Sequence, residues 1–432
     1  MYDYATYQEL VRLPQNYYNA GVRIKLSAFV LRGVNQLKTR WYLSIPTILL
    51  SPIFGASTNC QDASDSRSVK PAFEFRISDI QPVHESSSVG PACVTNLIFV
   101  DNDRLALGMY FSSPPDPNAG QDFRRTVRSN ATIVTFDTEA GKVAKFKTWT
   151  GLAGEPAVSG KLRILPIGKG NFIAGVHDII FRFSPDFEIQ AERLLRPEGA
   201  GINDGLHEDY WSLHADVKGR SAMLMRFSTE LTERDYWISP LTLHDEQRLD
   251  ELPRYVHAIS IIVDQTLFSN WNHSDGVSRP ITVEERGTQP RPLCAECIGA
   301  ISATLGRNLI LLATHPGASY LVVDTNGNVI LRQSHPGNRT SAVKSSGGAD
   351  SNRAAISYFD GGIPEGGILH FAVVDADAHK EIWEHEQKMV LEKSRVGPFQ
   401  ATAFAPPVIA LSPNGHKLAI LTSGVVQVYF IP

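Results

Sequence analysis

Four short stretches of this 432-residue chain hold the residue types that chemistry requires. His207-Glu-Asp-Tyr-Trp211, with His214 close behind, is the densest run of ionisable and aromatic side chains. His207, Asp209 and His214 are suitable ligand types for a transition metal. On an extended strand successive side chains alternate faces, so His207 and Asp209 fall together and His214 falls opposite. That favours a strand entry with surface polar groups over a metal centre. Trp271-Asn-His273 and His315-Pro-Gly317 end apolar runs and read as turn or packed residues beside a candidate surface. Cys294-Ala-Glu-Cys297 has the spacing of a zinc or redox pair, but no second Cys or His pair follows to complete a four-ligand zinc site. A thioredoxin-like role needs a βαβ setting, which the surrounding sequence lacks. A loop disulfide or two free thiols remain, and Cys60 with Cys93 is a second disulfide candidate.

Motifs for hydrolases, NTPases, dehydrogenases and metalloproteases are absent: there is no Gly-x-Ser-x-Gly elbow, P-loop, dinucleotide fingerprint or His-Glu-x-x-His. Gly361-Gly362 and Gly366-Gly367 are turn glycines with no following helix to receive a phosphate. No catalytic residue, metal or cofactor is expected.

The elements that position these residues are strands. Asn96–Val100, Arg104–Phe111, Asn308–Ala313, Lys417–Leu421 and Val425–Tyr429 are strand-like, and no long stretch between Pro71 and Pro432 has a helical apolar period. Turn signals such as Asn102-Asp103, Asn326-Gly327 and Asn414-Gly415 separate them. One unit recurs: an apolar run ending in Asp, a polar turn, then a second strand. It is seen at Asp137, Asp324 and Asp375, with a degenerate copy over Phe183–Ile189. An Asp at a strand end can accept bonds from backbone two residues on, so these three are expected to be turn makers and not a ring of catalytic carboxylates. Copies about 50 residues apart match one four-stranded propeller blade, and residues 71–432 have room for about seven. The fold expected is an all-β propeller.

Ala410-Leu-Ser-Pro-Asn-Gly-His-Lys-Leu-Ala-Ile-Leu421 resembles the strand-turn-strand of WD40-like and YVTN-type bacterial β-propellers, with Asn414-Gly415 as the turn and Leu411, Leu418 and Ile420 facing the core. The unit from Val373 to Glu384 resembles the Asp-x-x-Thr-Gly-Lys-x-x-Trp repeat of quinoprotein-like propellers, with Ala378-His379 in place of Thr-Gly. The last blade runs out after three strands, and Phe73–Ile80 alternates apolar and polar residues as a strand able to complete it. Three polar insertions, Ser112–Asn130, Asn272–Pro292 and His335–Asn352, read as surface loops; Glu381–Lys393 reads as a blade strand or a short helix.

The N-terminal region differs in kind. Residues 1–37 form an extension, consistent with a true start downstream of Met1. Residues 38–57 resemble a signal peptide: Lys38 and Arg40, an uncharged apolar run from Trp41 to Ala56, and small residues Gly55, Ala56 and Ser57. A membrane anchor or a buried segment are the other readings, and the run is short for a span. Residues 58–70 read as a linker, with Cys60 preceded by Asn59 and not by the small residue a lipoprotein signal needs. A formal net charge of -4 gives no basic field, so nucleic acid is not an expected partner. The expected protein is exported, periplasmic or secreted, and monomeric, with no integral span once mature. It is a non-catalytic binding or scaffolding module for a protein or small ligand. The alternative is a quinoprotein-like or lyase-type enzyme acting on a small molecule or carbohydrate in the central channel.

Overall fold

The computed structural model describes residues 69–80, 93–112, 128–153, 162–176, 179–195, 210–216, 218–227, 234–248, 259–263, 266–270, 280–285, 288–289, 291–298, 300–306, 308–314, 319–334, 344–360, 367–388, 392–396, 399–403 and 407–432. Strand β1 (Phe73–Arg76) comes first. Blade 1 is β2 (Cys93–Phe99), β3 (Arg104–Ser112), β4 (Arg128–Asp137) and β5 (Lys142–Ala153). Blade 2 is β6 (Leu162–Pro166), β7 (Phe172–Val176), β8 (Ile179–Phe183) and β9 (Ile189–Leu194). Blade 3 is β10 (Tyr210–Ala215), β11 (Ala222–Phe227), β12 (Arg234–Ile238) and β13 (Asp245–Arg248). Blade 4 is β14 (Ile259–Val263), β15 (Thr266–Asn270), β16 (Thr282–Glu285) and β17 (Arg291–Pro292). Blade 5 is β18 (Ala300–Leu305), β19 (Leu309–Thr314), β20 (Ser319–Asp324) and β21 (Val329–Ser334). Blade 6 is β22 (Lys344–Gly347), β23 (Arg353–Asp360), β24 (Ile368–Asp375) and β25 (Lys380–Lys388). A hairpin, β26 (Glu392–Val396) with β27 (Phe399–Ala403), precedes blade 7, which is β28 (Val408–Leu411), β29 (Lys417–Thr422), β30 (Val425–Phe430) and, from the other end, β1.

The first strands of successive blades touch in the order β2, β6, β10, β14, β18, β22, β28 and back to β2, which closes a seven-bladed ring. The apolar core lies between blades. Leu107, Phe136, Val426 and Val428 join blades 7 and 1, and Ile310, Leu321, Val283 and Cys297 join blades 4 and 5. Because each blade buries both faces against neighbours, inner and middle strands read as nearly continuous apolar runs.

Closure occurs where the alternation of Phe73–Arg76 indicates. Phe75 pairs with Val426 and Phe73 with Val428, and the Phe75 ring stacks on Phe136 of blade 1 at 3.9 Å. The strand is shorter than expected. It ends at Arg76, and Ile77–Asp79 form a 3₁₀ turn in which the Ile77 N–H donates to Gly424 O and its side chain is buried. Lys417 reinforces the same seam, its buried ammonium donating to Asp103 Oδ1 at 2.7 Å and Thr138 Oγ1 at 3.1 Å.

The repeated aspartates sit in the turns between third and fourth strands. Asp137 Oδ1 accepts the N–H groups of Glu139 and Ala140, and Asp375 Oδ1 those of Asp377 and Ala378. Asp324 Oδ1 accepts from Asn326 and Asn328, while its Oδ2 takes the Asn328 side-chain amide. In the degenerate copy the hydroxyl of Ser184 accepts from Asp186 and Glu188. Asn414 Oδ1 accepts the His416 N–H, and Gly415 has φ +74, with the Arg353 side chain where a Cβ would be. Asp375 does more than turn: its Oδ2 takes Arg353 Nε at 3.0 Å, and Arg353 also donates to Gly415 O across the blade 6–7 seam.

Burial pushes the Asp324 carboxyl up, but the donors from Asn328, Asn326 and Gly327 outweigh it and hold the group below its ordinary 3.8. The folded state therefore favours the carboxylate. Its contribution is complete above the ordinary value and is lost as pH falls through the lower folded one. Asp324→Asn keeps an acceptor for the backbone donors and should change stability by under about 0.5 kcal/mol at pH 7, while Asp324→Leu should cost about 1 kcal/mol. Urea titrations at pH 7 and pH 3.5 check both; equal large losses from Asn and Leu at pH 7 would point to a role for the charge itself.

Two of the expected loops contain strands. The stretch Asn272–Pro292 includes β16 and β17, and His335–Asn352 includes β22, the innermost strand of blade 6. The reason for the second is steric. A Cβ on Gly347 would stand 1.7 Å from Thr304 O of blade 5, so the axis demands small residues there and the strand imitates a loop in composition. Glu381–Lys388 is strand throughout, with no helical turn.

Candidate functional site

Strands within a blade alternate in direction, so the turns between first and second and between third and fourth strands share one end of each blade. At that end the inner turns interlock. Gly306 N–H donates to Ser351 O, Asp350 N–H to Pro413 O, and Asn414 N–H to Asn102 Oδ1, joining blades 5, 6, 7 and 1 in sequence. Five of the residues singled out by type in the sequence are His207, Asp209, Trp271, His273 and His315. These five residues lie outside the described ones. His214 is described. It is 8% exposed on β10, on the face away from Leu213, and is engaged within the protein. Among the described residues no group of three His, Cys, Asp or Glu side chains converges as a metal site.

The residue that sequence reading passed over is Arg163, in the innermost strand of blade 2. Leu162 and Ile164 enter the core shared with blade 1, and Leu165 packs into the core shared with blade 3. Alternation therefore turns Arg163 with Leu165 toward the blade 3 side of β6. It pairs in register with Gly175, which has no side chain to share its space. Burial pulls the guanidinium below its ordinary pKa, although the side chain keeps some contact with solvent. Among the described residues it has no hydrogen bond or ion pair. Two other polar side chains of inner strands are bonded across blades: Asn96 Nδ2 donates to Leu162 O and its Oδ1 accepts the Ile164 N–H, and Ser346 Oγ accepts the Leu411 N–H. The available signal was a single charge inside Leu162-Arg-Ile-Leu165.

A second group of titratable residues lies in the seam between blades 6 and 7. Tyr429 Oη is 3.3 Å from His385 Nε2 and donates to Gln427 Oε1, and Trp383 packs against both rings. Burial holds His385 below its ordinary value, despite nearby Glu386, and pushes Tyr429 up to about 12. Trp383 and Tyr429 are 8% and 1% exposed, so this is packing between blades and not a cleft. At the outer rim, an open groove between β5 and the turn after β8 is lined by Val143, Lys145, Phe146, Asp186 and Glu188. Its charges are mixed, and Lys145 Nζ is already bound to Asp186 O.

Seven four-stranded blades closed in a ring, turn-making Asp residues at a blade-length spacing, and Trp383 set between two blades define a seven-bladed β-propeller. No protein-family model and no curated protein matches the chain. Similar solved structures include the β-propeller domain of the Trilobed protease from Pyrococcus furiosus, with TM-score 0.46 and 10% identity, covering 78% of this chain and 95% of that one. The WD40 domain of SCAP from fission yeast aligns with TM-score 0.40 and 8% identity over 83% and 98%. BamB from Moraxella catarrhalis aligns with TM-score 0.36 and 11% identity over 78% and 85%. At such identities the likeness concerns fold alone. Among the described residues no helix is long and apolar enough to cross a membrane.

Proposed function

We propose that this chain is an exported, non-catalytic propeller that serves as a binding module and takes an anionic group at its axis through Arg163. Arg163 is the observation that carries the reading. A half-buried guanidinium on the innermost strand, with no partner among the described residues, is open to an anion from a ligand, which would meet it with charge-assisted, two-pronged hydrogen bonds. Export is supported by the pattern of Lys38, Arg40 and the apolar run to Ala56, and by the Cys294–Cys297 disulfide, a bond that persists in oxidising compartments.

Thermal unfolding of wild type and Arg163→Met, in chloride and then with inorganic phosphate or succinate at equal ionic strength, tests the site. The anions should raise the wild-type midpoint and leave the variant unmoved. Without ligand the variant should stay within about 0.5 kcal/mol of wild type, because the charge removed is partly exposed to solvent. A variant that is destabilised and responds to anions like wild type would sink the assignment. Mass spectrometry of protein from the producing cell addresses export separately: the mature chain should begin near Ser57, and an intact Met1 would count against it.

A further inference from the structure

The outer edge of blade 4 is built unlike the others. Its fourth strand, β17, has two residues, and the chain then makes a four-residue turn closed by the Cys294–Cys297 disulfide. That turn does part of the work of a strand. Leu293 N–H donates to Ile281 O, Ile281 N–H donates to Cys297 O, and Pro280 bridges to Ile298. Leu293 and Cys297 are buried with Ile310, Leu312, Leu321 and Val323 of blade 5. The neighbouring blade rests on the turn: a Cβ on Gly327 would be 2.4 Å from Leu293 O and 3.0 Å from Cys294 Cβ, and Glu296 pairs with Arg332 of β21. The two sulfurs differ in access. Cys297 is 0% exposed, while Cys294 is only partly buried and is followed by the exposed Ala295 and Glu296.

We propose that Cys294–Cys297 is a thiol-exchange site, reduced in the folded protein by a dithiol and coupled to the blade 4–5 seam. The thiolate of the dithiol attacks Cys294 Sγ, the accessible sulfur. The Cys294–Cys297 bond breaks, its electron pair leaves on Cys297 Sγ, and that thiolate takes up a proton. The second thiol of the reagent, once deprotonated, attacks the reagent's own sulfur in the mixed disulfide and releases Cys294 as a thiolate, which is protonated in turn. One dithiol becomes one disulfide, and two electrons and two protons pass to the protein. A turn that closes only four residues loses little chain-entropy stabilisation when opened, so the ring survives reduction. What changes is the hold of the turn on blade 5.

Full-length protein is incubated with graded dithiothreitol at pH 7.5 without denaturant, alkylated, and mapped by mass spectrometry, with hydrogen exchange measured on both forms. Cys294 and Cys297 should be labelled together while the protein stays folded. Amide exchange should rise at least about tenfold over residues 291–298 and in the facing turn 324–328, and the unfolding midpoint should fall by only a few degrees. Cys297→Ser should leave Cys294 able to form a mixed disulfide with oxidised glutathione under native conditions. If Cys297→Ser does not fold, the wild-type labelling decides the matter alone. Labelling that appears only after denaturation, exchange unchanged by reduction, or a pair already reduced in untreated protein would each overturn the proposal.

Discussion

Gly347→Ala should cost about 3 kcal/mol or more and leave little folded protein at 37 °C, although it adds one methyl group. The added Cβ would lie 1.7 Å from Thr304 O and 2.7 Å from Thr304 C, both main-chain atoms of β18, and no rotamer change can clear main chain. Relief requires blades 5 and 6 to move apart at the axis, against a core in which Leu305, Leu311, Ala354 and Val374 are packed. Since a domain's whole stability is about 5 to 15 kcal/mol, this single contact consumes a large share. Gly424→Ala is the control. It carries φ +75 but has no atom within 4 Å of the added Cβ, so it should cost only the left-handed strain of about 1 to 2 kcal/mol. Urea midpoints of the two variants check the ranking. If Gly347→Ala is no worse than Gly424→Ala, the inner strands do not meet as described.

The second large effect is expected at the closure. Phe75→Ala should lower stability by about 2 to 3 kcal/mol with an unchanged urea m-value, because it removes the ring stacked on Phe136 and uncovers Val426 while leaving the surface exposed on unfolding nearly the same. Glu74→Ala, one residue away on the opposite face, loses an exposed contact with Gln427 and should stay within about 0.5 kcal/mol of wild type. Similar midpoints for the two variants would mean that β1 adds no closure energy.

The parts of this architecture that could be read in the sequence are those where local chemistry and global fold agree. Asp137, Asp324 and Asp375 announce turns because the bonds they make are two to four residues away in the chain. Phe73 and Phe75 announce an edge strand because alternation is itself the signal. Reading failed where the constraint is non-local. The Lys344-Ser-Ser-Gly347 strand looks like a loop because its smallness answers to Thr304, about forty residues earlier and on another blade. Ile77 looked like the next strand position, but its N–H is taken by Gly424 O at a distant turn. Arg163 was overlooked because an arginine in a strand is unremarkable until the described residues around it are seen to offer it no partner. Of the candidate site residues His207, Asp209, His214, Trp271, His273 and His315, His214 alone falls within the described residues, and there it is a buried side chain engaged within the protein.

Strand β1 also has a meaning for how the ring comes into being. Glu74 and Gln427 are hydrogen-bonded across 353 positions of sequence, so the stretch from 73 to 430 cannot be divided into pieces that each seal themselves. During synthesis β1 emerges long before β30 exists and has no mate while the intervening blades appear. Joining the two ends of an unstructured loop of that length costs about 5 kcal/mol in chain entropy. Each blade that folds beforehand shortens the disordered path and reduces that cost, so the seal is cheapest as the final act of assembly.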